Sequence, residues 1–100
     1  MNDIDQTMID EVIDQFRLRL NRRIQEKGPA PFCSEHEALG VIMEEVQEFA
    51  NALHDREPNF TKSEELYDIM ITSFWGVLSY KQGMREKRKK DQLQGEYIKG

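Results

Sequence analysis

Two stretches of this chain carry carboxylates at helical spacing. "IMEEVQEFANALHD" (residues 42–55) holds Glu44, Glu45 and Glu48; "SEELYDIMITSFWGVL" (63–78) holds Glu65 and Asp68 just ahead of an apolar run. Five oxygen-donor side chains on two neighbouring helices suit one kind of chemistry above others. Carboxylates are hard ligands, and Mg²⁺ takes such ligands while sharing the rest of its shell with water and phosphate oxygens. A solvated acidic face is the plainer reading.

The two helices weigh differently between these readings. Helical residues are rotated by about 100° from one to the next. Glu44 and Glu45 therefore flank Glu48 one turn earlier, on the side away from an Ile42/Val46/Phe49/Leu53 stripe. Alone, that helix suits a solvated face. Glu65 and Asp68, three apart, share a face of a helix that also carries Leu66, Tyr67, Ile69, Met70, Ile71, Phe74, Trp75, Val77 and Leu78. A helix apolar nearly all round is expected to be buried on most sides. Its acidic strip would then face something other than bulk water. Buried carboxylates are costly unless protonated or paired with a cation.

Written out, the pattern is Glu44-Glu45-x-x-Glu48, then Glu65-x-x-Asp68 after a sixteen-residue gap. It resembles the EExxE…ExxD signature of the all-α nucleoside triphosphate pyrophosphohydrolases, the MazG-like superfamily, to which dimeric dUTPases and phosphoribosyl-ATP pyrophosphohydrolase also belong. "PFCSEHEALGVIMEEVQEF" is similar to a subgroup of short MazG-like proteins. The resemblance spans about residues 30–80. It implies Mg²⁺-dependent hydrolysis of an α–β phosphoanhydride to a nucleoside monophosphate and pyrophosphate, with Mn²⁺ as a possible substitute. Carried over, Glu45, Glu48, Glu65 and Asp68 would be metal ligands. Glu44 would be a further ligand or the base that orients water, with Glu45 also in the catalytic set.

Substrate contacts are less defined. His36, in the first turn of the second helix, is equally a substrate contact or a partly exposed residue beside an N-cap. Lys81 and Arg85 follow the third helix and Lys62 precedes it; each could reach a phosphate, although "REKRKK" suits a solvated charge run. Trp75 could stack on a base, with core or interface packing as the more ordinary use. Phe32 more ordinarily anchors its loop. Arg19, Arg22 and Arg23 suit a solvated face.

Three long helices would position these groups. The first spans about Asp5–Lys27, its stripe formed by Ile9, Val12, Ile13, Phe16, Leu20 and Ile24 and its end marked by Gly28 and Pro29. The second opens with a Ser34/Glu37 capping box and runs to about His54. Its apolar side is expected at Leu39, Ile42, Met43, Val46, Phe49, Ala50 and Leu53. A second box, Thr61/Glu64, predicts the start of the third, which runs to about Gln82 with Gly83 as stop. "MREKRKKDQLQ" suits a short fourth helix. No stretch alternates as a strand does. The fold class is all-α: one MazG-like bundle over residues 1–100, with a motif core at 30–83 and a basic tail at 84–100. Oligomerisation, as a homodimer or homotetramer, would complete it.

Composition supports this class. Residues 1–80 carry 7 Lys/Arg against 16 Asp/Glu, and residues 81–100 carry 7 against 3, so an acidic body bears a basic tail. The one cysteine, Cys33, cannot form an internal disulfide, which fits a cytoplasmic setting. The N-terminus has no signal core, and "IMITSFWGVL" is about half a membrane span. Neither histidine, His36 nor His54, completes the Glu-x-x-His pairs of a di-iron bundle. No recognition helix suits nucleic acid. The expected function is nucleotide pyrophosphohydrolysis. The alternative is a non-catalytic helical oligomer or adaptor that keeps an acidic metal site.

Overall fold

The structure is a computed structural model and describes residues 2–84. From residue 85 on, the expected fourth helix, Arg85 and the basic tail lie outside the described residues. Within them the chain is all-helical: α1 (Gln6–Lys27), α2 (Glu35–His54), α3 (Asn59–Ser79) and a closing π-helical turn, Tyr80–Met84. No strand occurs among the described residues. None of these helices is long and apolar enough to cross a membrane. The contacts divide the chain into two units, with the break between Ala30 and Pro31.

The first unit is essentially α1. Asp5 caps it, its Oδ1 accepting the Met8 N–H at 3.0 Å. Gly28 closes it at φ 80°, a conformation that glycine adopts without Cβ strain, and its N–H returns to the Ile24 carbonyl at 2.8 Å. The apolar stripe divides along its length. Ile9, Val12 and Ile13 are exposed, whereas Phe16, Leu20 and Ile24 are half-buried.

The second unit is the α2–α3 hairpin with its entry loop and closing turn. Ser34 caps α2 as expected, its Oγ accepting the Glu37 N–H at 3.1 Å. The α2 C-terminus turns at Arg56, a non-glycine residue at φ 55°. There the Glu57 N–H bonds the Ala52 carbonyl (3.0 Å) and the Arg56 N–H bonds the Leu53 carbonyl (3.2 Å), the two bonds of a Schellman-type stop.

The start of α3 differs from expectation. The helix opens at Asn59 behind Pro58, not behind Thr61. Proline fixes φ near −65° and has no N–H to satisfy, so it can begin a helix without a side-chain cap. The Lys62 N–H already bonds the Pro58 carbonyl at 3.1 Å, which puts Thr61 inside the first turn. At the other end the α-helical spacing stops at Ser79, short of the expected Gln82, and the chain widens into a π turn that runs through Gly83, so Gly83 is not the stop. A Cβ on Gly83 would lie 3.1 Å from Pro31 Cγ, so a larger residue here would push the prolyl ring aside by a few tenths of an ångström.

The packed face is also not the one that the apolar pattern suggests. On α2, Leu39, Met43, Val46, Ala50 and Leu53 are exposed, and the buried residues are Ala38 and Ala52. On α3 the buried residues are Ile71, Thr72, Trp75, Gly76 and Ser79, while Leu66, Met70, Phe74, Val77 and Leu78 are exposed. Among the described residues, α3 therefore keeps several of its large apolar side chains exposed. At the α2–α3 seam the buried residues of α2 are both alanines, whereas α3 buries Ile71 and Trp75 beside Thr72, Gly76 and Ser79.

Candidate metal centre

The acidic residues stand in that seam. On α2, Glu45 lies seven residues, about two turns, after Ala38 and the same distance before Ala52, so it belongs to the packed face. Glu48 follows one turn on. On α3, Glu65 and Asp68 precede Ile71 and Thr72 on the buried side. One carboxylate oxygen from each of Glu45, Glu48, Glu65 and Asp68 lies within 4.8 Å of the others. Opposite ligands of one Mg²⁺ are about 4.2 Å apart, twice the metal–oxygen distance. The group would need to tighten by about 0.6 Å to close on a single ion.

The surroundings make the acids uncomfortable without a cation. Glu45 Oε2 and Glu65 Oε2 are shielded from solvent and accept no hydrogen bond. Burial, and then the negative charges of Glu48, Asp68 and Glu65, push the Glu45 carboxyl from the ordinary 4.5 up to about 7. Glu65 is raised as well, first by burial and then by Glu48 and Asp68. Two shielded oxygens without donors, beside two further carboxylates, fit a hard cation: the donor set is all oxygen and all anionic.

The scaffold around the group is hydrogen-bonded. Thr72 Oγ1 donates to the Asp68 carbonyl at 2.7 Å, one turn back along α3. Further along, the Phe32 N–H donates to Ser79 Oγ at 2.9 Å, and Ser79 Oγ donates to the Trp75 carbonyl at 2.7 Å. Tyr80 Oη donates to Glu35 Oε1 at 2.7 Å, tying the π turn to the first turn of α2. These contacts hold the entry loop and both helices in register at one end of the hairpin.

The other expected site residues are spread more widely. Glu44 is exposed and outside the four-carboxylate group. His36 is exposed in the first turn of α2, and Lys81 is exposed in the π turn. Lys62 is half-buried in the first turn of α3. Trp75 and Phe32 are 5% and 7% exposed, so both rings are packed away as core and loop anchor. Arg22 is exposed, while Arg19 and Arg23 are half-buried and burial lowers the Arg23 pKa. The Ser79 latch and the Tyr80–Glu35 pair escaped the sequence reading, because lone hydroxyls and a glutamate carry no spacing signal. No protein-family model matches this chain, and neither a curated protein nor a solved structure matches it.

Proposed function

We propose that this protein is a metal-dependent nucleotide pyrophosphohydrolase that uses Mg²⁺ or Mn²⁺ at the α2–α3 seam. The observation that carries the reading is the convergence of Glu45, Glu48, Glu65 and Asp68, with two of their oxygens shielded and without hydrogen bonds. The match of these positions to the EExxE…ExxD pattern supplies the reaction class. When bound, the ion would supply charge neutralisation for phosphate oxygens and a lowered pKa for water.

The chain's own residues divide the work. Glu45, Glu48, Glu65 and Asp68 would hold the ion between the two helices. Glu45 and Glu65 must give up their protons to do so, since only the carboxylate is a ligand. Glu44, exposed on the adjoining turn of α2, is free to accept a proton from water and to orient it. Thr72 steadies the α3 backbone at Asp68. Lys62, one turn before Glu65 on α3, is the lysine of this unit nearest the acids in sequence; Lys81 lies past the end of α3, roughly 20 Å along the helix from Asp68.

The test is release of pyrophosphate from a panel of nucleoside triphosphates with Mg²⁺, followed in wild type and Glu48→Gln. Pyrophosphate from the wild type and its loss in the variant support the reading. Metal binding with no turnover on any nucleotide would leave the non-catalytic adaptor instead.

A further inference from the structure

The turn between α2 and α3 keeps a residue that local energetics disfavour. Arg56 sits at φ 55°, in a helix stop that glycine fills without strain. Positions held in such sparsely populated backbone cluster at ligand clamps and active sites. No contact within the protein accounts for the arginine. Its side chain is exposed, and among the described residues it has no hydrogen bond or ion pair. The adjoining Asp55 engages His54 instead, Oδ1 to Nδ1 at 3.2 Å. Lys62 likewise has no ion pair among the described residues, although Glu65 follows one turn later. Between residues 31 and 84 the lysines and arginines are Arg56, Lys62 and Lys81. Arg56 comes eight residues after Glu48, about 12 Å along the helix axis, and Lys62 comes three before Glu65. Lys81 stands at the opposite end of the hairpin. The acids therefore have cations close by on the turn side alone within this stretch.

We infer that Arg56, with Lys62 between it and the acids, receives the terminal phosphate of the substrate and so sets the direction and length of the phosphate chain that the site accepts. The inference rests on the metal-centre reading. An ion on the four carboxylates contacts only the phosphates beside it, and by itself does not distinguish a chain of two from a chain of three. A guanidinium takes a phosphate through two parallel N–H donors, which makes it a specific end-stop. At about 12 Å from Glu48 it is too distant for a phosphate on the ion and suits the far end of a longer chain. The phosphates would then run toward the α2–α3 turn, and the nucleoside toward the Ser79 end of the hairpin. This also accounts for the backbone. Glycine at position 56 would relax the turn but hold no phosphate, so the strain is the cost of keeping a guanidinium there.

The test is calorimetric titration of the full chain, with Mg²⁺ present, using inorganic tripolyphosphate and pyrophosphate as probes. Wild type should bind tripolyphosphate more tightly than pyrophosphate. Arg56→Gln should weaken tripolyphosphate binding about tenfold, the scale of one hydrogen-bonded contact to a charged group, and leave pyrophosphate binding nearly unchanged. Arg56→Lys, which keeps the charge without the planar fork, should fall between. Lys81→Gln removes the same charge at the far end of the hairpin and should bind both probes as wild type does. Arg56→Gly separates a ligand contact from a structural role: it should melt higher than wild type in EDTA and still lose the preference for tripolyphosphate. Equal losses in Arg56→Gln and Lys81→Gln overturn the inference, as does a preference that survives in Arg56→Gly. A wild type whose melting responds to Mg²⁺ but which binds no tripolyphosphate overturns it and leaves the metal centre standing. A wild type indifferent to Mg²⁺ removes both.

Discussion

Two stretches of the α2–α3 seam solve the burial of polar groups in opposite ways. Near Phe32, Trp75 and Ser79, each polar group just described has a partner: the Ser79 hydroxyl accepts from one backbone N–H and donates to one carbonyl. Near Glu45 and Glu65, four carboxylates crowd one another and two oxygens stay unbonded. The first arrangement stabilises the apo chain at no electrostatic cost. The second is a local destabilisation that the fold tolerates because the first holds the helices together. Strain of this kind, kept in one place and supported elsewhere, is what a binding site requires.

The largest expected effect breaks the acidic region. Glu45→Gln, Glu48→Gln, Glu65→Gln and Asp68→Asn should each lower pyrophosphate release by roughly a hundredfold or more, the scale for losing one preorganised electrostatic group. The same variants should gain little melting temperature from added Mg²⁺, whereas wild type should gain steadily by mass action. Glu44→Gln sharpens the assignment, because as a base it would lose turnover but keep the Mg²⁺ response. Equal Mg²⁺ responses in wild type and the four ligand variants would remove the metal centre.

Next comes the hydrogen-bonded end. Trp75→Ala should cost about 3–5 kcal/mol, with or without metal, as large core truncations do. Ser79→Ala should cost about 1–3 kcal/mol, since it leaves the buried Phe32 N–H without an acceptor. Urea melts in EDTA and in Mg²⁺ give both values. A Ser79→Ala cost that vanished when Mg²⁺ was added would mean that the two regions are not separable.

Acidity distinguishes them further. Glu45 and Glu65 bind protons more tightly folded than unfolded, so the folded state holds more protons between their unfolded and folded pKa values. Apo stability should therefore fall as pH rises from about 4.5 through about 7, the Glu45 value. Metal affinity should rise over the same range, because ligation needs both groups deprotonated. Melting temperature against pH, with and without Mg²⁺, should show the two curves meeting at low pH and separating as pH rises; Glu45→Gln should flatten the apo trend.

The sequence made some of this visible and hid the rest for physical reasons. Caps are local, so Ser34 and Gly28 could be read directly from their neighbours, whereas Asp5 was read as the helix's first residue and is its cap. The five-acid spacing is also local to each helix, and four of the five do converge. What was hidden depends on what faces what. The Leu39–Leu53 stripe looks like a core face because hydrophobic periodicity shows which side avoids water, not which partner covers it. In this chain α3 packs against the side with Ala38, Glu45 and Ala52. Thr61/Glu64 matched a capping box, yet Pro58 had already started the helix one turn earlier. Trp75 sat close enough to Asp68 in sequence to suggest base stacking, and its burial follows from the neighbouring helix and loop.

The smallest effect concerns Arg56, remote in kind from both regions. Its φ of 55° strains any residue with a Cβ. Arg56→Gly removes that strain but adds freedom to the unfolded chain, so the net gain should be about 0.5–1 kcal/mol. The substitution helps to interpret the ligand variants. Glu48→Gln should also raise apo melting temperature, by relieving repulsion among the carboxylates, and a stabilised variant alone does not identify the cause. Arg56→Gly should stabilise by the same amount in EDTA and in saturating Mg²⁺, because the turn does not change when the seam is filled. Glu48→Gln should stabilise only in EDTA and fall below wild type in Mg²⁺. If both variants gave the same gain in both buffers, the crowding of Glu45, Glu48, Glu65 and Asp68 would be an ordinary surface repulsion and not a site awaiting a cation.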